Sequence, residues 1–180
     1  GDVERPGNYE VTMGTPFATL LEMAGGVKGG RQLKAVIPGG SSVPIMTAAE
    51  TEDCLLDYEG VVARGSMLGS AGMIVMDDST DMVYQIWRLA RFYAHESCAQ
   101  CTQCREGTAW TTKILERILA GKGKAADLDL LLSPSENMTG KTICVLSDSC
   151  AAPIVSGIAK FRSEFDAYLS GARQPALAMA

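Results

Sequence analysis

The sequence predicts an α+β protein in two parts, and three observations carry that expectation. Residues 1–77 alternate short apolar runs with Pro-Gly and Gly-Gly turns around one amphipathic stretch. From Asp78 onward, apolar residues recur every three or four positions, which is helical spacing. Among those helices stand Cys98, Cys101 and Cys104, three thiols in a Cys-x-x-Cys-x-x-Cys array followed directly by Arg105. The expected arrangement is a small domain with a linker over 1–77 and a helical bundle over 78–180.

The first part reads in the order ββαββ. Val3 to Val11 suggests two short strands around a Pro6-Gly7-Asn8 turn. Thr15 suits a helix N-cap and Pro16 the first helical position. Phe17, Leu20, Leu21 and Ala24 then form an apolar stripe, ended by Gly25-Gly26. Leu33–Ile37 and Val43–Met46 read as strands around Pro38-Gly39-Gly40. This is the order of a ubiquitin-like β-grasp domain. Residues 47–56 suggest a short amphipathic turn, with Cys54 a small buried hydrophobe. Gly65–Ser70 is loop, and Gly72–Asp77 a buried strand.

The second part reads as a four-helix bundle with its cysteines in the connections. Asp78-Ser-Thr-Asp81 offers N-caps, and Met82, Val83, Ile86, Leu89, Ala90 and Tyr93 keep helical spacing. Past the cysteine loop, Gly107 relaxes the backbone, and a second helix carries Trp110, Ile114 and Ile118. A shorter third helix holds Leu128, Leu131 and Leu132 before Ser133-Pro134. Residues 135–141 read as irregular. Pro153 opens a last helix with Ile158, Phe161, Phe165 and Leu169, and the tail after Gly171 is expected to fray.

Composition narrows the function. The 180 residues are 47% apolar, with a formal charge of −5. That balance argues against nucleic acid, which needs a basic footprint. No apolar run is long enough to span a bilayer, and the polar opening residues are unlike a signal peptide. The six cysteines, Cys54, Cys98, Cys101, Cys104, Cys144 and Cys150, are half concentrated in one loop. Disulfide scaffolds are short and secreted, so metal or redox chemistry is expected instead.

A cubane [4Fe–4S] cluster takes four thiolates. Cys98, Cys101 and Cys104 can cover one side of it, and Cys144 or Cys150 can close the other. Cys144 is preferred: it lies in an apolar run, whereas Cys150 sits near the opposing charge of Asp148. Structural zinc sites usually offer two separated Cys-x-x-Cys pairs, and the second is lacking here. The fourth cysteine of a bacterial ferredoxin motif is also lacking. His95 either touches the cluster's edge or finishes its helix. Arg105 and Lys141, and less so Arg88 and Arg91, are candidates to offset the cluster's negative charge. With every position thiolate, no iron is left open, and no catalytic residue is expected.

Glu96 to Thr108, with Gly140-Lys141-Thr142-Ile143-Cys144, resembles the C-terminal half of the NADH-binding flavoprotein subunit of respiratory complex I. The same subunit type recurs in NAD-reducing hydrogenases and NAD-dependent formate dehydrogenases. The family motif is usually Ser-Cys-Gly-x-Cys-x-Pro-Cys-Arg-x-Gly; here Ala99 stands for Gly and Gln103 for Pro. The resemblance implies Cys98, Cys101, Cys104 and Cys144 as cluster ligands. It further implies a soluble-ligand-binding β-grasp domain at the start. FMN and NAD are expected only on a preceding domain. Electrons from NADH-reduced FMN would pass through the cluster to the next iron–sulfur subunit. Expected partners are that flavin/NADH-binding domain and neighbouring iron–sulfur subunits. The expected location is cytoplasmic, peripheral to the inner membrane, or the mitochondrial matrix side. The competing readings are a zinc-stabilised non-redox interaction domain, an iron–sulfur redox sensor, and the equivalent subunit of an NAD-linked hydrogenase or formate dehydrogenase.

Overall fold

The computed structural model describes residues 1–177. The chain mixes helices with small sheets and divides into two compact units, Gly1–Thr80 and Asp81–Ala180.

In the first unit, β2 (Leu33–Ile37) is the central strand of a three-stranded antiparallel sheet. β3 (Met46–Thr47) pairs on one side and β5 (Ile74–Asp77) on the other, with Val36 opposite both Met46 and Val75. Apolar Ala35, Val36 and Ile37 are all buried, as a central strand covered on both faces requires. A separate pair joins β1 (Thr15–Pro16) to β4 (Leu55–Leu56). α1 (Phe17–Met23) follows β1 directly, and α2 (Tyr58–Ala63) follows β4. Phe17, Val36, Met46, Cys54, Leu56, Val61 and Leu68 close over one another as the core. Burial pushes the Cys54 thiol pKa up, so it acts as a small apolar side chain.

Several expectations change here. The predicted opening hairpin is reduced to a single bridge between Val3 and Val27. Thr15 and Pro16 are paired strand, with Pro16 still extended at ψ 140° in the cap position of α1. Pro16 has no N–H to give, and the pairing is made on either side of it. The Gly14 amide donates to Leu56 O at 3.1 Å and the Phe17 amide to Cys54 O at 2.9 Å. The strand predicted over 43–46 shortens to Met46–Thr47. The turn predicted over 47–56 resolves into a 3₁₀ turn at Ala49–Thr51 and strand β4. α2 has no apolar stripe long enough to stand out; Asp57 starts it by accepting the Gly60 amide at 2.6 Å.

The second unit is helical. α3 (Met82–Glu96) packs on α4 (Thr102–Leu119), α4 on α5 (Asp127–Met138), α5 on α6 (Leu146–Lys160), and α6 back on α3. Asp81 caps α3 through the Tyr84 amide at 3.1 Å. α7 (Arg162–Leu169) locks onto that cap: Tyr168 donates to Asp81 at 2.6 Å, and Arg173 pairs with both Asp81 and Glu164. Burial raises the Tyr168 phenol pKa, so it remains a donor.

Three boundaries depart from expectation. α4 starts at Thr102, so Cys104 lies in its first turn and Gly107 inside it. The stripe on α4 is also rotated: Trp110 is 54% exposed, while Thr108, Thr111, Leu115, Ile118 and Leu119 are fully buried. The buried threonine hydroxyls are satisfied by donating one turn back, as Thr108 does to Cys104 O at 2.8 Å. α5 runs through Pro134 to Met138. The carbonyl that Pro134 leaves without its helical donor belongs to Leu130, a residue on the exposed side of the helix. α6 begins at Leu146, not Pro153, so Cys150 is a helical residue and not part of a connection. The described part of the tail does not fray. The Ala176 and Leu177 amides both donate to Leu119 O, and Pro175 lies against Gly121. The last three residues of the tail lie outside the described residues.

Candidate metal centre

α3 ends at Glu96 and α4 begins at Thr102, leaving a five-residue loop that holds Cys98 and Cys101. Its shape is fixed by two contacts and one backbone conformation. Ser97 Oγ accepts the Ala99 amide at 3.3 Å. Arg105 Nη1 reaches back from α4 to Ala99 O at 2.8 Å. Ala99 itself is left-handed, at φ 63°, a conformation that favours glycine. Arg105 therefore braces the loop backbone, with Glu106 holding its Nε at 2.9 Å.

The Cys144 loop is braced as heavily. Asp148 Oδ1 accepts the Gly140 amide at 2.8 Å. Thr142 Oγ1 donates to Cys144 O at 2.7 Å and meets Ser147 Oγ at 2.6 Å. Buried Ser147 Oγ, whose one proton serves Thr142 Oγ1 and Met138 O at 3.2 Å in turn, fastens the loop to the end of α5. Asp148, expected only as a charge opposing Cys150, is a backbone anchor. Sequence reasoning passed over Ser97, Thr142 and Ser147, since isolated hydroxyls in a loop carry no spacing signal.

The two loops meet. The Ile143 amide donates to Cys101 Sγ at 3.5 Å across 42 residues of chain. Ser97 Oγ lies 3.3 Å from Cys104 Sγ. Cys98 and Cys144 are exposed, Cys101 half-buried and Cys104 buried. Cys150 is different: it is fully buried within α6. Burial pushes its thiol up to about 12, a Thr111 contact opposing and nearby Cys104 adding to the rise. Its thiol lies inside the helix packing and in neither of the two loops.

Other predicted neighbours stand apart. His95 is exposed at the end of α3 and pairs with Glu96 at 2.9 Å. Arg91 lies over the Trp87 ring, 5.5 Å from its centroid, and Arg88 is exposed on the same helix. Lys141 is exposed in the Cys144 loop, its amide bonded to Met138 O at 3.3 Å. Around Cys144, Ile143 and Val145 are 86% and 73% exposed.

Among the described residues, no three His, Cys, Asp or Glu side chains converge closely enough to grip one metal ion. Tetrahedral zinc at about 2.3 Å from each sulfur needs thiolates about 3.8 Å apart. A cubane spreads its irons over a larger body, so its thiolates stand well apart. The two loops, joined at Cys101 Sγ, bring four cysteines of the kind an iron–sulfur cluster takes into neighbouring connections.

The first unit offers a half-open hollow of about 590 Å³, lined largely by Phe17, Leu20, Leu21, Met73 and Val75. No helix among the described residues is long and apolar enough to cross a membrane.

The class that this fold and these cysteines resemble is an iron–sulfur domain. Residues 84–168 match the NADH-ubiquinone oxidoreductase-F iron-sulfur binding region, and residues 1–45 match the SLBB domain. The chain as a whole resembles the C-terminal part of the F subunit of NADH-quinone oxidoreductase. It is 47% identical over 175 residues to that subunit of Mycobacterium tuberculosis, covering 97% of this chain. It is 47% identical over 168 residues to the corresponding subunit of Rhizobium meliloti, covering 92%. The chain spans about 39% of the length of either relative. Among solved structures, it matches an NAD+-reducing [NiFe]-hydrogenase in the H2-reduced state with a TM-score of 0.83. That match has 32% identity and covers 94% of this chain and 28% of the hydrogenase chain.

Proposed function

We propose that this chain is a one-electron relay, holding a [4Fe–4S] cluster on Cys98, Cys101, Cys104 and Cys144. The observation that carries the reading is the Ile143 amide on Cys101 Sγ at 3.5 Å, which draws the Cys144 loop onto the three-cysteine loop. The family match over 84–168 supports the same cofactor. A [4Fe–4S] cluster bound there takes up and gives up one electron at a time. The residues' part is to hold four thiolates, hydrogen-bond two of them, and leave the Cys98 and Cys144 side open toward a partner.

The host is an NADH-quinone oxidoreductase, a reading favoured by 47% identity to its F subunit against 32% to the hydrogenase. In that assembly electrons arrive from FMN reduced by NADH on another domain of the same subunit and leave to a neighbouring iron–sulfur subunit. The assembly is peripheral to the membrane on its cytoplasmic or matrix side. The first unit serves as a β-grasp domain, supported by the SLBB match. Helices α3 to α6 serve as the four-helix bundle that carries the cluster. Lys141 and Arg105 add positive charge near it.

Anaerobic reconstitution with iron and sulfide, followed by EPR after dithionite reduction, tests the reading. An S = 1/2 cubane signal is expected, lost in Cys144→Ala and kept in Cys150→Ala. A colourless protein with one tightly bound zinc would sink it, and a signal lost only in Cys150→Ala would overturn the ligand set.

A further inference from the structure

We propose that Ser97 is a positioning residue that raises the reduction potential of the cluster by donating its hydroxyl proton to Cys104 Sγ. This rests on the ligand set proposed above. The Oγ–Sγ distance is 3.3 Å, and geometry alone leaves the donor open. The surroundings fix it. The Ala99 amide donates into Ser97 Oγ at 3.3 Å, so a lone pair of that oxygen is already engaged and its proton is free. A metal-bound Cys104 is a thiolate and has no proton to give. The hydroxyl must therefore donate to the sulfur.

The contact is also protected. Cys104 is only 7% exposed, and Ser97 is half-buried. Water competes weakly for such a bond, and low dielectric strengthens it. The serine is held in place twice, as the residue ending α3 and as the acceptor of the loop amide. Cys101 has a comparable donor in the Ile143 amide, but a backbone amide is not removed by changing a side chain. Ser97 is the sulfur donor that mutation can delete.

The sign follows from charge. A donor to sulfur stabilises negative charge, and the reduced cluster carries one more negative charge than the oxidised. The bond is therefore stronger in the reduced state and favours reduction. Removing the donor lowers the potential.

The test is an EPR-monitored redox titration of the full chain reconstituted with iron and sulfide. Ser97→Ala is expected to shift the midpoint downward, by up to a tenfold change in the oxidised-to-reduced ratio at fixed potential, about 59 mV. Ser97→Thr, which keeps the hydroxyl, is expected to restore the parent midpoint. Ser149→Ala is the control. Its hydroxyl donates to Val145 O at 2.8 Å and not to a sulfur, so its midpoint should match the parent. An unchanged midpoint in Ser97→Ala overturns the proposal, as does an equal fall in Ser97→Thr. If Ser97→Ala fails to load, the parent decides through electron–nuclear double resonance after brief exposure to D2O. A strongly coupled proton that exchanges quickly, as a hydroxyl does, supports the proposal, and its absence overturns it. A parent without any cubane signal overturns the ligand reading itself, whereas a normal parent cubane with an unshifted Ser97→Ala overturns only the role of Ser97.

Discussion

Gly107 presents its bare Cα to Met138: a Cβ built there would lie 2.6 Å from both Cγ and Sδ of that fully buried side chain. The close approach explains a glycine within α4, where helix propensity alone would favour alanine by about 1 kcal/mol. It brings α4 against the end of α5, beside the loop that carries Cys144.

Gly107→Ala should therefore destabilise the protein despite its better helix propensity. Overpacking a filled core costs about 1–3 kcal/mol, which exceeds the propensity gain at all but the low end. Urea unfolding should show a net loss of roughly 1 kcal/mol. A gain in stability would mean that Met138 moves aside freely.

Ala99→Gly should act in the opposite direction. An L-residue held at φ 63° carries about 1 kcal/mol of strain that glycine does not. The substitution should raise thermal stability slightly and speed cluster uptake, read as the growth of visible absorbance during reconstitution. Slower uptake would show that the methyl group makes a contact of its own.

Asp127 is buried at the start of α5 and is gripped by Arg117, with Nε at 3.0 Å and Nη2 at 2.5 Å, and by the Lys124 amide at 2.9 Å. Burial pushes its carboxyl pKa upward, but the Arg117 and Lys124 bonds outweigh that and hold it below the ordinary 3.8. A carboxyl that titrates lower when folded contributes stability above its unfolded value, and that contribution disappears as pH falls through the folded value. Stability measured in urea should thus be flat from neutral pH to about 4 and fall below it. Asp127→Asn should flatten the fall below pH 4 and cost roughly 2 kcal/mol at pH 7, the worth of hydrogen bonds to a charged group. An unchanged acid limb would remove the ion pair from the account.

Thiol labelling separates the cysteines. In the metal-free protein, exposed Cys98 and Cys144 should alkylate first at pH 8, while Cys150, buried and ionising only near 12, should stay unmodified until unfolding. Reconstitution should protect Cys98, Cys101, Cys104 and Cys144 together. Mass spectrometry of iodoacetamide-treated protein reads both states, and early labelling of Cys150 would contradict its burial.

The parts that were legible in the sequence were those with a repeating signal. α3 has a six-residue apolar face and an acidic cap, so its course follows from spacing. β2 and β5 are short, mostly apolar runs, broken in β2 only by Lys34, with glycine or aspartate near their limits. The cysteine loop is legible because three thiols in seven residues have few uses. What escaped was governed by contacts between distant residues. Gly107 reads as a breaker until Met138 is seen against it. Pro134 reads as a stop, but α5 continues through it to Met138. Trp110 reads as core because it is large and correctly spaced, yet buried threonines take the facing side of α4. Ser97, Ser147 and Asp148 bind across loops to partners that no local pattern identifies.

The tail's two amides on Leu119 O give α4 an anchor at the end opposite its thiols. The helix is 18 residues long, about 27 Å at 1.5 Å per residue. Fastened by Arg105 at one extremity and by the tail at the other, it behaves as a strut whose ends cannot unravel separately. Hydrogen exchange from Arg105 to Leu119 should then be uniformly slow, with no faster zone near the tail. Removing the tail would release one end, and the loosening would travel from Leu119 toward the cysteines.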